Sequence, residues 1–273
     1  MIARRFEGRR VLVTGGSSGI GRATVLAFAA AGARVVAAAR RVDRLIEVQR
    51  EAADDAVATL CADVSSRAGS REMVGQAIEL LGGLDILVNN AGVSYTEPFL
   101  DATEQRWTET LETNLTGPFF ASQVAARHMV KHGGGSIVNV ASIDAFVAES
   151  PSAHYMASKA GLVNLTRCIA FELGHLGVRC NALCPGLTRT EMVAGDLTPE
   201  FWNGYGRRIP VRRPAEPREQ ATVVLFLCSD DASFINGEAI VVDGGQLAGF
   251  WYYPDDEPPV PPYKAVPPEA PDR

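Results

Sequence analysis

VLVTGGSSGIGRATVLAFAAAGARVVAAARR, residues 11–41, carries the reading of the fold. Four β-branched or aliphatic residues run into Gly15-Gly16-Ser17-Ser18-Gly19-Ile20-Gly21, a helical stretch follows to Ala31, and a second apolar run spans Ala33 to Ala39. Strand, glycine turn, helix and strand in that order make one βαβ unit. Glycines stand where the chain must turn tightly and let a ligand approach the backbone, and the helix start offers unpaired N–H groups and a positive dipole end suited to a pyrophosphate. The spacing is GxxxGxG rather than the commoner GxGxxG. The same residues also satisfy GxSxG, Gly15-x-Ser17-x-Gly19, the turn that presents a nucleophilic serine in α/β hydrolases. That alternative needs a histidine base, and only His154 or His175 could be drawn in.

Outward from this unit the alternation continues. A helical stretch at Val42–Ala53 is followed by apolar runs at Ala56–Ala62, Leu84–Asn89, Ser136–Ala141, Val178–Leu183 and Ala239–Val242, with helical segments between them. Strands alternating with helices of about ten residues or more predict an α/β fold, a doubly wound parallel β-sheet of Rossmann type in a single domain. In such sheets ligands lie beyond the carboxyl ends of the strands. The second strand ends at Ala39-Arg40-Arg41, where an acidic residue would hold a ribose 2′-hydroxyl. Arginines there suit a 2′-phosphate, so NADP is expected over NAD, with a solvated strand end as the bland alternative for Arg40 and Arg41.

Composition narrows the class. Of 273 residues 47% are hydrophobic and 21% charged, enough for one large core, and the net charge of −6 gives no basic field for nucleic acid. No apolar run reaches the roughly 18 residues needed to cross a bilayer, and the basic start MIARRFEGRR lacks the apolar segment of a signal peptide, so a cytoplasmic protein without membrane attachment is expected. Five scattered cysteines argue against a disulfide framework, and Cys180 with Cys184 lacks two further ligands, so no metal is expected. Residues 1–249 read as the catalytic domain, with the irregular stretch 186–214 as a substrate-binding lid. Residues 250–273 form a proline-rich acidic tail holding eight of the 16 prolines and a net charge of −3; behind Phe250-Trp251-Tyr252-Tyr253 it reads as an arm laid on a neighbouring subunit, with disorder and a PxxP ligand as alternatives.

Three further strand ends carry polar groups: Asn89-Asn90-Ala91-Gly92, Ala141-Ser142 and Cys184-Pro185-Gly186. Tyr155 and Lys159 stand four residues apart in a segment of helical period, hence on one face. Taken with TGGSSGIG (14–21), Asp63-Val64, NNAG (89–92), Asn114 in NLTG, Ser142 thirteen residues before Tyr155, YMASK, and Pro185-Gly186 with Thr190, the chain resembles the short-chain dehydrogenase/reductase family from Gly8 to Gly245. The tail departs from the family, whose chains end soon after a DGG such as 243–245.

The resemblance implies a catalytic core of Ser142, Tyr155 and Lys159, with Asn114 supporting a water relay. It implies a cofactor cradle of Gly15, Ser17, Ser18, Gly19, Ile20, Gly21, Arg40, Arg41, Asp63, Val64, Asn90, Ala91, Gly92, Tyr155, Lys159, Pro185, Gly186, Thr188 and Thr190. A small carbonyl or alcohol substrate is then expected against Ser142, Asp144, Glu149, His154, Tyr155, Met192 and Trp202, in a homo-oligomer, dimer or tetramer. The activity implied is an NADP(H)-dependent interconversion of ketone and secondary alcohol, of the carbonyl or 3-oxoacyl reductase kind, with an NAD-dependent alcohol or sugar dehydrogenase, or a dinucleotide sensor without turnover, as alternatives.

A cation about 4 Å from a phenol contributes roughly 4 kcal/mol at an effective dielectric near 20, so Lys159 is expected to lower Tyr155 by up to about three pKa units where desolvation does not cancel it. Singly, Tyr155 could be a helix aromatic, Lys159 a surface side chain, and Ser142 a cap for the next turn.

Overall fold

The computed structural model describes residues 5–52, 56–149, 151–193, 198, 201 and 205–249. Seven strands form one parallel sheet: β1 (Arg10–Thr14), β2 (Arg34–Ala39), β3 (Val57–Cys61), β4 (Ile86–Asn89), β5 (Gly135–Val140), β6 (Val178–Pro185) and β7 (Ala239–Val242). Their spatial order is β3-β2-β1-β4-β5-β6-β7, which reverses between β1 and β4. All seven expected strands are present, displaced by at most two residues at their ends. The doubly wound reading holds.

Alternation along each strand divides the core into two layers. Val11, Val13, Val35, Ala37, Val88, Val138 and Leu183 face one way, and Val25 and Phe28 of α1 (Gly19–Ala30), Leu45 and Val48 of α2 (Val42–Glu51), and Val224 and Leu227 of the helix Pro217–Cys228 close over them. Leu12, Val36, Ala38, Leu87 and Ile137 face the other way. They meet Met73, Val74 and Ala77 of α3 (Arg67–Leu81) and Ala121, Ala125 and Met129 of α5 (Gly117–Lys131). Burial on both faces is why these strands read as continuous apolar runs.

Helix α4 (Glu104–Leu111) runs into α5 through a widened π turn at Glu112–Thr116, and α6 (Ala153–Leu173) and α7 (Pro217–Cys228) follow along the chain. Asn139 interrupts β5 with a polar side chain that is wholly buried, and its environment explains why. Asn89 Nδ2 donates to Asn139 Oδ1 at 2.8 Å, and Asn139 Nδ2 donates to Thr166 Oγ1 at 2.9 Å, so a polar bridge joins β4, β5 and α6. No helix among the described residues is long and apolar enough to cross a membrane. Residues 250–273, for which an arm is expected, lie outside the described residues.

Candidate active site

The carboxyl ends of β1, β4, β5 and β6 open onto a cleft of about 500 Å³. Its floor starts at the first glycine turn. Gly15 and Gly19 hold positive φ of 65° and 53°, in the region that favours glycine. Gly21 is needed for space, because a Cβ there would fall 2.2 Å from the Gly15 carbonyl oxygen and 2.3 Å from Asn90 Nδ2. Asn90 is the brace of this turn: its Nδ2 donates to the carbonyls of Thr14 and Gly15 at 3.0 and 3.3 Å, while the Thr14 hydroxyl accepts from the backbone N–H groups of Asn90 and Ala91. NNAG therefore divides its labour. Asn89 stitches the sheet, and Asn90 fixes the cradle.

Helix α1 begins at Ser18 with no side-chain cap and no acidic residue in its first turn. Its amino end faces the cleft through Ser18, Gly19 and Ile20, a donor set that fits a phosphate group. Arg41, rather than Arg40, is brought to this point: one guanidinium nitrogen donates to Ser18 Oγ at 2.9 Å and, at 3.5 Å, to Ser17 Oγ, and the other pairs with Glu191 at 2.8 Å. Arg40 is exposed beside it. Ser17 has Arg41 as its hydrogen-bond neighbour and no histidine, so the GxSxG turn lacks the base a serine hydrolase requires.

Asp63 and Val64 are not on the cleft. Asp63 caps its own turn by accepting from Ser65, and the Val64 carbonyl accepts from Ser70. On the opposite side Pro185, Gly186, Thr188 and Thr190 line the wall, with the Thr188 hydroxyl donating to the Gly186 carbonyl at 2.9 Å.

Ser142, Tyr155 and Lys159 meet on one side of the cleft. Ser142 ends the β5 segment and caps the turn Ile143–Ala145: its Oγ accepts from the Asp144 N–H at 3.1 Å and donates to Asp144 Oδ2 at 3.0 Å. The capping alternative and the catalytic one thus coexist in the same hydroxyl. Lys159 is only 4% exposed, and among the described residues its one hydrogen-bond acceptor is the Val140 carbonyl, at 2.8 Å. Two ammonium hydrogens remain for a ligand such as a ribose. Burial pushes Lys159 down to about 8, against smaller opposing effects of Cys184 and Asp144.

The expected lowering of Tyr155 is not what the site provides. Burial drives the phenol well above its ordinary value and the Asp144 charge adds to this, with hydrogen bonding to Ser142 opposing both. Lys159 Nζ lies 5.5 Å from the ring centroid, but its bond is to Val140 and its own charge is disfavoured by the same dry surroundings. In a desolvated pair the burial cost acts on both partners before their attraction can help.

Asn114 sits in the π turn, fully buried. Its Oδ1 accepts from Val93 N–H and its Nδ2 donates to the Val93 carbonyl and to Ser158 Oγ. Both amide hydrogens are therefore spent on holding the β4 loop to α6, beside Gly92. A relay through the Asn114 side chain would have to use the remaining lone pair of Oδ1.

Of the expected substrate residues, Asp144, Glu149 and Met192 line the cleft, joined by Ser94, Thr96, Phe201 and Tyr205. Burial raises both carboxyls, and in Glu149, at the rim, Asp144 adds to the effect. His154 does not line it. It is 1% exposed, directed at the Tyr95 ring 6.2 Å away, because neighbouring positions on α6 point about 100° apart and Tyr155 takes the cleft side. Trp202 lies outside the described residues. The residues that sequence reading missed are Thr14 and Glu191; for Thr14 the signal was a hydroxyl ending an apolar strand, while Glu191 meets Arg41 across 150 positions and left none.

Comparison with known proteins agrees with this geometry. A family model described as enoyl-(acyl carrier protein) reductase matches residues 15–246. L-rhamnose-1-dehydrogenase of Scheffersomyces stipitis is 38% identical over 88% of this chain and 96% of its own, and a 3-oxoacyl-acyl-carrier-protein reductase of Aquifex aeolicus is 39% identical over 89% and 99%. A Beutenbergia cavernae protein assigned as an NAD(P)-dependent gluconate 5-dehydrogenase, solved with NADP at low occupancy, superposes with a TM-score of 0.86 at 36% identity, covering 90% of this chain and 99% of that one. With the cradle at the β1 turn, the buried lysine and the serine and tyrosine facing one cleft, the chain belongs to the short-chain dehydrogenase/reductase family, oxidoreductases acting on alcohols and carbonyls with NAD(P).

Proposed function

We propose that the chain reduces a ketone to a secondary alcohol with NADPH, and runs the reverse reaction with NADP, using Tyr155 as general acid and base. The observation that carries this reading is the convergence of Ser142, Tyr155 and Lys159 on a cleft whose far end is the uncapped start of α1. When bound, the nicotinamide supplies or accepts the hydride. Tyr155, held protonated by its surroundings, gives its proton to the carbonyl oxygen, and the Ser142 hydroxyl stabilises charge developing there. Lys159, with one ammonium hydrogen on the Val140 carbonyl, would hold the nicotinamide ribose with the others.

Arg41 beside Ser18, with Ala39 where an acid would stand, supports NADP, since a guanidinium matches a 2′-phosphate. Asp144 and Glu149 in the cleft wall favour a second reading, oxidation of a hydroxylated substrate of the sugar or diol kind. The named relatives span both, an L-rhamnose-1-dehydrogenase and a 3-oxoacyl reductase. Residues 1–249 carry the activity and 250–273 an arm for a neighbouring subunit. All five cysteines are free, in keeping with a reducing cytoplasm.

A screen of ketones, diols and aldoses with NADPH, NADH, NADP and NAD at the nicotinamide absorbance tests both readings. Turnover with NADP(H) is expected, and Tyr155→Phe should lose about 10²–10⁴-fold in kcat while still binding cofactor. A Tyr155→Phe variant as fast as wild type would sink the mechanism.

A further inference from the structure

Asp144 stands two residues beyond the serine of the site, and that serine's only hydrogen is directed at it. The Ser142 hydroxyl donates to Asp144 Oδ2 at 3.0 Å, and the Asp144 backbone N–H returns a bond to Ser142 Oγ at 3.1 Å. An ionised carboxylate can only accept, so this ring holds Oγ and its proton in place until a substrate oxygen takes that proton for its own hydrogen bond. Asp144 lies in the same cleft wall as Tyr155 and is partly withdrawn from water.

We propose that Asp144 is a positioning residue: acting through Ser142, and by its charge beside Tyr155, it keeps Tyr155 in the protonated form that donates to a carbonyl oxygen. The inference rests on the function proposed above and sharpens it, because it makes reduction the direction for which neutral pH is suited.

Among the described residues the charged and titratable groups around Asp144 are few. Tyr155 and Lys159 face it from α6, Glu149 from its own segment, and Tyr205 from the turn that also carries Arg208, whose charge acts on Glu149 and Tyr205. Among the described residues Lys159 is the cation whose charge reaches Asp144 directly, and its burial weakens it as a counterweight. A negative charge here opposes a second one on the phenolate. Removing it lets Tyr155 ionise at lower pH, which favours alcohol oxidation and curtails reduction.

The substitution Asp144→Asn keeps an acceptor for the Ser142 hydroxyl and removes the charge, Asp144→Ala removes both, and Asp144→Glu restores the charge. With the best substrate pair from the screen, the acid limb of kcat/KM for oxidation and the alkaline limb for reduction should both move to lower pH in Asp144→Asn by about one unit. Well below the limb, oxidation normalised to its plateau should rise about tenfold. Asp144→Ala should show the same displacement together with a lower plateau, and Asp144→Glu should return the limbs towards wild type. A merely structural role would lower the plateau and leave the limbs in place.

A second measurement needs no turnover. Phenolate absorbance near 295 nm is titrated with saturating NADP for wild type against Tyr155→Phe, and for Asp144→Asn against Asp144→Asn/Tyr155→Phe, over the pH range in which far-ultraviolet circular dichroism stays native. The Tyr155-dependent signal should emerge at lower pH in the Asp144→Asn pair. Equal titration in both pairs, no signal in either, or limbs that stay fixed would overturn the proposal; absence of turnover with every substrate would count against the proposed function and leave this titration to decide.

Discussion

Lys159 shows what a functional charge costs at the scale of one residue. It is buried to 4% exposure with one protein acceptor, and burial holds it at about 8, below the ordinary value near 10.5. Between those two values the unfolded chain binds more protons than the folded one, so stability rises with pH across that window. Below pH 8 the fold bears the full penalty. Lys159→Met, of similar length and apolar, should therefore unfold later than wild type in urea at pH 7, by about 1–3 kcal/mol, and the gain should shrink as pH rises from 8 towards 10.5. The same variant should lose turnover. A variant less stable than wild type at pH 7 would mean that the Val140 contact outweighs desolvation. Sequence spacing alone placed Lys159 beside Tyr155 correctly, since a separation of four residues on a helix fixes a shared face. Whether desolvation would cancel the attraction on the phenol it could not decide, because spacing shows the neighbour and not the burial around it; burial prevails. His154 marks the same limit: it adjoins Tyr155 in the chain, yet its buried ring lies against Tyr95 and does not line the cleft.

Among elements, the glycine turn after β1 is where sequence and structure correspond most closely. TGGSSGIG was readable because each glycine answers a backbone demand, and the demand at Gly21 is the tightest. Gly21→Ala would drive a methyl into the Gly15 carbonyl and Asn90 Nδ2, neither of which can withdraw without opening the brace to Thr14. Cofactor affinity should fall by about 10²-fold, equivalent to roughly 3 kcal/mol, by fluorescence titration with NADPH. Affinity within threefold of wild type would show that the turn relaxes. The roles of Asp63 and Arg41 were less legible. The acid after β3 accepts from Ser65 in its own turn, and the arginine that reaches the cradle is the second of two adjacent ones, paired with Ser18 and with Glu191 far along the chain.

For the whole molecule, the doubly wound parallel sheet with both faces covered was legible because parallel strands buried on both faces leave continuous apolar runs that helical segments separate; the order of the strands in space was not. What such patterning does not reveal is which apolar residues stay outside. Phe171 near the end of α6 is 92% exposed, and Phe119 on α5 and Trp107 on α4 are each more than 40% exposed. Trp107, Phe119 and Phe171 stand on α4, α5 and α6, helices that pack on one another, and a homo-oligomer with two-fold symmetry that used these helices would cover them. An isologous contact places each residue near its own counterpart or its neighbours, so one added charge is felt twice. Phe171→Asp should then shift the protein to a smaller species in sedimentation velocity while circular dichroism stays native, and wild type should sediment as a dimer or larger. If wild type is already monomeric at tens of micromolar, or if Phe171→Asp sediments as wild type does, these helices are not the contact.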